Sequence, residues 1–265
     1  MDKIIRQNFV MRDSRPYPSD NVVDFENYVQ ENYNGVSDRK LLPVTWTSYY
    51  RKADYGRNKV MMQQLQDYLN TLKGKFFTVC QYDDGILSDI SHLDCQVFGM
   101  GKKIGYPLPL ISQRHSFEFR DRKNIPCSFI GNPTHEIRRE IFKLKERNWI
   151  LTARSFKLQE YCKLLHRSVF GLCPRGYGIT SFRIAECLQY GAIPVYVSDE
   201  FIIPHNIDFE SYGVLVDSKE VKNLGKIIKS IPSRKIVELQ SNIRYVYVNY
   251  YTYAANLKII QSSIK

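Results

Sequence analysis

The chain has 265 residues, of which 43% are hydrophobic and 25% charged, and this composition is typical of a folded globular protein with one large or two small α/β domains. The net charge of +11 favours an anionic partner, which can be nucleic acid, an anionic membrane or a phosphorylated small molecule. The absence of a zinc finger, an RNP-type motif or a dense Lys/Arg tract argues against nucleic acid, and the absence of a long apolar run predicts a soluble cytoplasmic protein without signal peptide or membrane anchor.

The first half of the chain alternates strand-like and helix-like patterns after a polar start with a short amphipathic stretch at 22–33. Runs rich in β-branched and aromatic residues predict strands, and apolar residues spaced by three or four predict a helix. The expected elements are strands at 41–50 (LLPVTWTSYY), 76–82, 97–101 and 107–112 and a helix at 57–72. This order favours a parallel sheet.

A charged break at 120–124 (RDRKN) marks a predicted domain boundary, and strands and helices alternate regularly after it. The expected strands are 125–131, 149–153, 169–173, 192–198 and 213–217, and the expected helices are 134–147, 156–167, 181–190, 218–230 and 234–263. This pattern is typical of a doubly wound, nucleotide-binding sheet.

Six cysteines are spread along the chain without a Cys-x-x-Cys pair, which argues against a zinc site. Several stand inside apolar runs, so we expect small buried side chains in a reducing compartment. They are Cys80, Cys95, Cys127, Cys162, Cys173 and Cys187.

A glycine loop at 174–180 joins a strand to the helix expected at 181–190. Gly176 and Gly178 allow the backbone to turn tightly and to approach a ligand closely. A helix that starts near Ser181 supplies free N–H groups and the positive end of its dipole. The loop therefore predicts a phosphate site.

Arg183 and Glu186 lie three residues apart and share one face of this helix. A cation in the first turn opposes the helix dipole unless an anion is bound beside it. Arg183 is therefore a candidate phosphate ligand, and Glu186 a candidate partner of ribose hydroxyls. The alternative is a surface ion pair that contributes little to stability.

The same loop is also close to a dinucleotide fingerprint, Gly176-x-Gly178-x-x-Ser181, with Asp199 at the end of the next strand. This alternative implies an NAD(P)-dependent oxidoreductase. Two features argue against it: a serine replaces the third glycine, and the loop follows a complete α/β half instead of opening its domain.

The segment from Ser168 to Pro204 resembles the exostosin family, the family 47 glycosyltransferases, which shows a Cys-x-Pro-x-Gly loop followed by Ser-x-Arg-x-x-Glu and Gly-x-Ile/Val-Pro-Val. The upstream segment Ser128–Arg138 is similar to the family's Gly-then-Arg segment, and residues 40–115 look like small viral and bacterial members. The matching positions are Ser168, Cys173, Pro174, Gly176, Ser181, Arg183, Glu186, Gly191, Pro194, Val195 and Pro204.

The resemblance implies a GT-B-like α/β fold with two Rossmann-type parallel-sheet domains facing a central cleft. It implies an acceptor-binding domain at 1–124, a nucleotide-sugar-binding domain at 125–240, and a C-terminal helix at 241–265 that can cross back to the first domain.

The resemblance also implies roles for single residues: Arg183 would contact the diphosphate, Glu186 the ribose, and Gly131 and Arg138 the phosphate side of the cleft. Arg175 has no fixed counterpart in the family. The expected donor site comprises Gly131, Arg138, Pro174, Arg175, Gly176, Gly178, Ser181, Arg183 and Glu186.

The reaction implied by the resemblance is an inverting transfer of a sugar, with xylose among the candidates, from a UDP-sugar to a hydroxyl of a glycan acceptor. It needs one base for the acceptor hydroxyl. Asp83 and Asp84 follow a predicted strand and are the candidate bases, with a slight preference for Asp83 and an Asx turn as the alternative. His115 and Glu118 are weaker candidates.

The leaving diphosphate needs positive charge, which Arg138, Arg183 and the start of the helix would supply. No Asp-x-Asp element is present, so we expect no metal and no cofactor apart from the UDP-sugar donor. The expected partners are that donor and an oligosaccharide acceptor, and a viral chain would act in the host cytoplasm. A third alternative is a non-catalytic protein that binds a nucleotide or a glycan.

Overall fold

The computed structural model describes residues 9–11, 24–35, 37–100, 105–111 and 115–264, apart from the side chain of Asn206. Contacts divide the chain into two compact units, Met1–Leu108 with Tyr253–Lys265, and Pro109–Thr252. The predicted boundaries at 124 and 240 differ from these. The difference at the first boundary arises because residues before 125 contact the second unit, as in the hydrogen bond from Gln189 Nε2 to His115 O.

The first unit is built on a parallel sheet. Its strands are β1 (Lys40–Leu41), β2 (Lys75–Cys80), β3 (Asp94–Gly99) and β4 (Tyr106–Pro107), and its helices are α1 (Phe25–Asn32), α2 (Trp46–Lys52), α3 (Lys59–Thr71) and, from the end of the chain, α9 (Tyr253–Ser263). The strands lie in the order β1-β2-β3-β4 and every neighbouring pair is parallel.

The predicted strand at 41–50 is wrong beyond Leu41, because its second half forms α2. From Trp46 onward, the buried apolar side chains follow the spacing of a helix face and are Trp46, Tyr49, Tyr50 and, at the C-cap, Ala53. Trp46 Nε1 donates a hydrogen bond of 2.7 Å to Thr78 Oγ1 of β2. The helical spacing of these side chains therefore prevails over their individual preference for strands.

The predicted strand at 107–112 is also wrong for most of its length, since β4 ends at Pro107. Leu108 N still donates to Gly99 O at 2.8 Å, but Pro109 has no N–H group with which to continue the ladder. Gly101 and Ser112, the last residues of two predicted strands, lie outside the described residues.

The second unit contains the longer sheet. Its strands are β5 (Ile125–Ile130), β6 (Ile150–Thr152), β7 (Ser168–Pro174), β8 (Ile193–Ser198) and β9 (Val214–Asp217), and its helices are α4 (Glu136–Lys143), α5 (Leu158–Arg167), α6 (Arg183–Gln189), α7 (Leu224–Ser230) and α8 (Ser233–Tyr250), with 3-10 turns at Pro204–Asn206, Phe209–Ser211 and Ser218–Asn223. The predicted strands and helices between 125 and 230 are present, but two helices are shorter than expected. The helix predicted at 134–147 ends at Lys143, and the one predicted at 218–230 begins as the 3-10 turn Ser218–Asn223 and is α-helical only from Leu224.

The strands of the second unit lie in the order β6-β5-β7-β8-β9, and all neighbouring pairs are parallel. The first strand of the unit, β5, stands between β6 and β7, so the direction of chain connection reverses between β5 and β7. In such sheets, ligands bind outside the carboxyl ends of the strands at this reversal. The prediction of an α/β fold with two parallel-sheet domains is confirmed.

The helix predicted at 234–263 is interrupted at Tyr251 and Thr252, between α8 and α9. Tyr251 is buried, and its hydroxyl hydrogen-bonds that of Tyr212 at 2.9 Å. Tyr253, at the start of α9, packs its ring 5.3 Å from that of Phe25 in α1. Within the described ranges, no helix combines the length and the apolar character that a membrane crossing needs.

Candidate functional site

The carboxyl ends of β5 and β7 bring together residues that are far apart in sequence. Gly131 follows β5, and Arg138 lies on α4, the helix after β5. Pro174 ends β7, and the glycine loop leads from it to α6. The predicted donor-site residues are therefore collected at the reversal point of the sheet.

Arg138 ties the two loops of this edge together. Its guanidinium donates to three backbone carbonyls: from Nε to Arg175 O at 2.9 Å, from Nη2 to Pro174 O at 3.2 Å and from Nη1 to Asn132 O at 3.4 Å. Only 9% of the residue is exposed. Arg138 thus holds the glycine loop against the loop that follows β5.

Arg183 holds the end of β5 in a similar manner. Its Nε and Nη2 both donate to Ile130 O, at 2.9 and 2.6 Å. The guanidinium carbons of Arg183 and Arg138 lie 5.1 and 5.8 Å from the centre of the Phe129 ring. One aromatic ring on β5 therefore supports both cations, an arrangement favoured by cation–π attraction.

Two glycines make room for these arginines. A Cβ atom on Gly131 would lie 2.3 Å from Arg183 Nη2, and one on Gly176 would lie 2.7 Å from Arg138 Nη2. The sequence predicted that Gly176 serves the close approach of a ligand to the backbone. The structure adds a second reason for the glycine, which is the space that Arg138 occupies.

The start of α6 is already partly capped. The helix begins at Arg183 and not at 181, and Arg183 N donates to Ser181 Oγ at 3.4 Å while Ile184 N donates to Ser181 O at 3.2 Å. Ser181 is 4% exposed and Gly178 is buried as well. The free N–H groups predicted here are therefore fewer than the sequence suggested.

Glu186 is a buried carboxylate with a partner on α5. Only 3% of it is exposed, and Tyr161 Oη donates to its Oε2. Burial, followed by the charge of Glu186, raises the pKa of Tyr161 well above its ordinary value. The alternative of a surface Arg183–Glu186 pair therefore does not describe Glu186.

Arg175, the first residue after β7, pairs with Asp199 after β8 at 2.5 Å, from Nη1 to Oδ1. The hydrogen bond from Arg175 lowers the pKa of Asp199. His135, the N-cap of α4, accepts from Ile137 N at 3.3 Å, and burial followed by the charge of Arg175 lowers its pKa. The Arg175 guanidinium and the His135 imidazole thus both lie close to the Asp199 carboxylate.

In the first unit, β2 ends at Cys80, and Asp83 and Asp84 follow after two intervening residues in a turn that Gly85 N closes by donating to Tyr82 O at 2.9 Å. Gly85 has a φ of 74°, which glycine adopts readily. Both aspartates are partly exposed at the carboxyl end of β2, where the sequence placed them.

The sequence interpretation missed Glu26, a carboxylate that is 2% exposed beside the same strand end. It accepts hydrogen bonds from Gln81 N and Thr47 Oγ1 at 2.7 Å and from Thr47 N at 2.9 Å. Burial, and then the charge of Asp24, raise its pKa to about 8. The available signal was its spacing, since Glu26 lies three residues before the buried Val29 on an amphipathic helix.

The two weaker candidates for the catalytic base, His115 and Glu118, lie in the second unit. His115 Nε2 is buried and has no hydrogen-bond partner among the described residues, and burial lowers the pKa of the ring while the charge of Glu186 opposes this. Glu118 is exposed. All six cysteines are free, and the described residues contain no cluster of three or more His, Cys, Asp or Glu side chains able to hold a metal.

Comparisons with known proteins bear on this site. A family model described as the Exostosin GT47 domain matches residues 94–231. The chain is 37% identical over 93 residues to Exostosin-1 homolog of Caenorhabditis elegans, a match covering 34% of this chain and 24% of the relative. It is 38% identical over 82 residues to a probable beta-1,4-xylosyltransferase of Arabidopsis thaliana, covering 30% of this chain and 20% of the relative.

These matches span about a quarter of the length of the curated relatives or less. Among solved structures, that of TarM aligns with a TM-score of 0.46 and 12% identity, covering 77% of this chain and 45% of TarM.

Proposed function

Because this chain belongs to the exostosin GT47 family, we propose that it is an inverting glycosyltransferase that moves a sugar from a UDP-sugar to a hydroxyl of a glycan acceptor. The donor sugar is one of those that the relatives' names suggest, with xylose as the first to test. The observation that carries the proposal is the meeting of Arg138, Arg175 and Arg183 at the carboxyl edge between β5 and β8.

The second unit supplies the donor site. A parallel sheet whose chain connection reverses between β5 and β7 favours a nucleotide at that point. Three guanidiniums within reach of the glycine loop favour a diphosphate, because charge-assisted hydrogen bonds to phosphate are strong. Glu186, held by Tyr161, is the acceptor we assign to ribose hydroxyls.

Inversion needs a single displacement at the anomeric carbon, with a base for the acceptor hydroxyl and cations for the leaving UDP. We assign the base to Asp83 or Asp84 in the turn after β2, and the cationic role to the arginine cluster. A metal ion is not part of the proposed mechanism, so turnover should persist in EDTA.

A thermal-shift series on the whole chain tests nucleotide class. UDP at about 100 times its Kd should add about 2.7 kcal/mol to the free energy of unfolding, and NAD(P) should add nothing. Stabilisation by NAD(P) and not by UDP would instead support the oxidoreductase.

Turnover is followed as release of UDP from UDP-xylose, UDP-galactose, UDP-glucuronate and UDP-N-acetylglucosamine with oligosaccharide acceptors. Asp83→Asn and Asp84→Asn are compared with Asp67→Asn, a change on the exposed face of α3. Loss of turnover in one of the first two, with UDP binding intact, supports the base. Binding of UDP without turnover in the wild type would favour a non-catalytic protein.

A further inference from the structure

The three arginines at the carboxyl edge differ in the groups that their guanidiniums contact. Arg138 donates to three main-chain carbonyls, and Arg183 donates twice to Ile130 O. These acceptors belong to the sheet and its loops, so they cannot be replaced by a ligand without disturbing the backbone. Arg175 instead directs its Nη1 to a side chain, the carboxylate of Asp199, and its Nη2 donates a long hydrogen bond of 3.4 Å to Tyr177 O within the glycine loop.

The Arg175–Asp199 pair is suited to exchange. The Arg175 side chain is 16% exposed and is held in a defined position, whereas that of Asp199 is 51% exposed. An ion pair with a half-exposed carboxylate contributes little to stability. In addition, Arg175 Nε is buried and has no hydrogen-bond partner in the described part of the chain, which is unfavourable until an acceptor arrives.

The main chain fixes where this guanidinium begins. Arg175 N donates to Val197 O at 3.0 Å, and Arg175 O accepts from Arg138 Nε at 2.9 Å. The side chain therefore starts from a rigid position between the ends of β7 and β8. Arg138 lies next to the pair and adds positive potential, which favours an acceptor with more than one negative charge.

We propose that Arg175 binds the diphosphate of the donor, and that Asp199 is a competing anion that holds the guanidinium until the diphosphate displaces it. This inference rests on the proposed function. A diphosphate can accept from two nitrogens of a guanidinium at once, and its greater charge prevails over a single solvated carboxylate. Asp199 thus keeps the site ordered when no donor is bound, at the expense of donor affinity.

The test is UDP binding by calorimetry at low ionic strength, using the whole chain. Arg175→Gln should weaken UDP binding about ten- to hundredfold, because charge-assisted hydrogen bonds are lost. The UDP affinity of Arg175→Lys should lie between those of the wild type and Arg175→Gln. Asp199→Asn should tighten binding severalfold, because the competing anion is removed. In the Arg175→Gln background, Asp199→Asn should change nothing.

Glu140→Gln is the matched control, since it also removes one carboxylate of the second unit from an ion pair, there with Lys143 on α4. Its UDP affinity should stay within about twofold of wild type. Urea unfolding of each variant establishes that it is folded, and inorganic diphosphate as a second probe should give the same order of affinities.

Two outcomes would overturn the inference while leaving the proposed function intact. In the first, Arg175→Gln binds UDP as tightly as the wild type does. In the second, Asp199→Asn weakens UDP binding as much as Arg175→Gln does. The second result would make the pair a fixed part of the scaffold. If the wild type itself bound neither UDP nor inorganic diphosphate, the proposed function would be wrong, and this result comes from the wild type alone, before any variant is measured.

Discussion

Gly131 and Gly176 show how a single hydrogen in place of a methyl group shapes the candidate site. Each glycine borders a guanidinium whose nitrogens are directed at main-chain carbonyls. The arginine cannot move away without losing those bonds, so the space next to it has to be kept empty. The sequence shows that the glycines and arginines are present, but not that they are paired.

Gly131→Ala should therefore lower the free energy of unfolding by about 1–3 kcal/mol, as overpacking does. Urea denaturation measures this. In an Arg183→Met background the same change should cost much less, because the clash is with Arg183 Nη2. Gly105→Ala is the control, because its Cβ would meet only Val97 O at 3.8 Å. An equal loss with and without Arg183 would contradict the pairing.

The raised pKa of Glu26 predicts that the stability of the protein depends on pH. This pKa is raised from 4.5 to about 8 in the folded protein, so the folded state holds a proton that the unfolded state releases. The free energy of unfolding should then fall as pH rises between these two values and level off above about 8. Asp24 and Cys80 are the titratable neighbours that share this environment.

The measurement is urea unfolding of wild type and Glu26→Gln over about pH 5 to 9. The variant lacks this titration, so its stability relative to the wild type should improve as pH rises, even though an amide satisfies the surrounding donors less well. Parallel curves for the two proteins would show that Glu26 does not titrate in this window.

At the scale of helices and strands, the second unit was predictable and the first was less so. The strands β5, β7 and β8 are predominantly apolar and almost entirely buried, and amphipathic helices separate them, so pattern alone identifies them. In the first unit, α2 has an aromatic-rich sequence whose helical spacing was overlooked. Proline shortens β4, which hydrophobicity alone does not reveal.

The candidate site, too, could be predicted from the sequence only in part. The positions of Arg138, Arg183 and the glycine loop follow from the motif and from the strand order. The acceptors of the guanidiniums do not, because the carbonyls of Ile130 and Pro174 are chemically like any others and only the tertiary fold selects them. Glu26 escaped notice because it belongs to a short helix before the first strand.

At the scale of the whole molecule, the chain ends on the unit in which it begins. Helix α9 belongs to the first unit and packs on α1, so residues far apart in sequence share one core. The first unit is therefore complete only after the second has been synthesised.

Leu257→Ala tests how much helix α9 contributes to the stability of the protein. Leu257 is 7% exposed, and its truncation should lower the free energy of unfolding by about 2–4 kcal/mol, as for other buried leucines. Lys258→Ala, at an exposed position on the same helix, should change it by less than about 0.5 kcal/mol. Similar urea midpoints for the two variants would show that α9 adds nothing to stability.

The ring of Phe129 lies under both Arg138 and Arg183, and those arginines secure different stretches of backbone. We therefore expect the segment after β5 and the bend after β7 to be coupled, because the same ring contacts both of the side chains that hold them. A displacement of one of these segments should therefore be transmitted through the ring to the other.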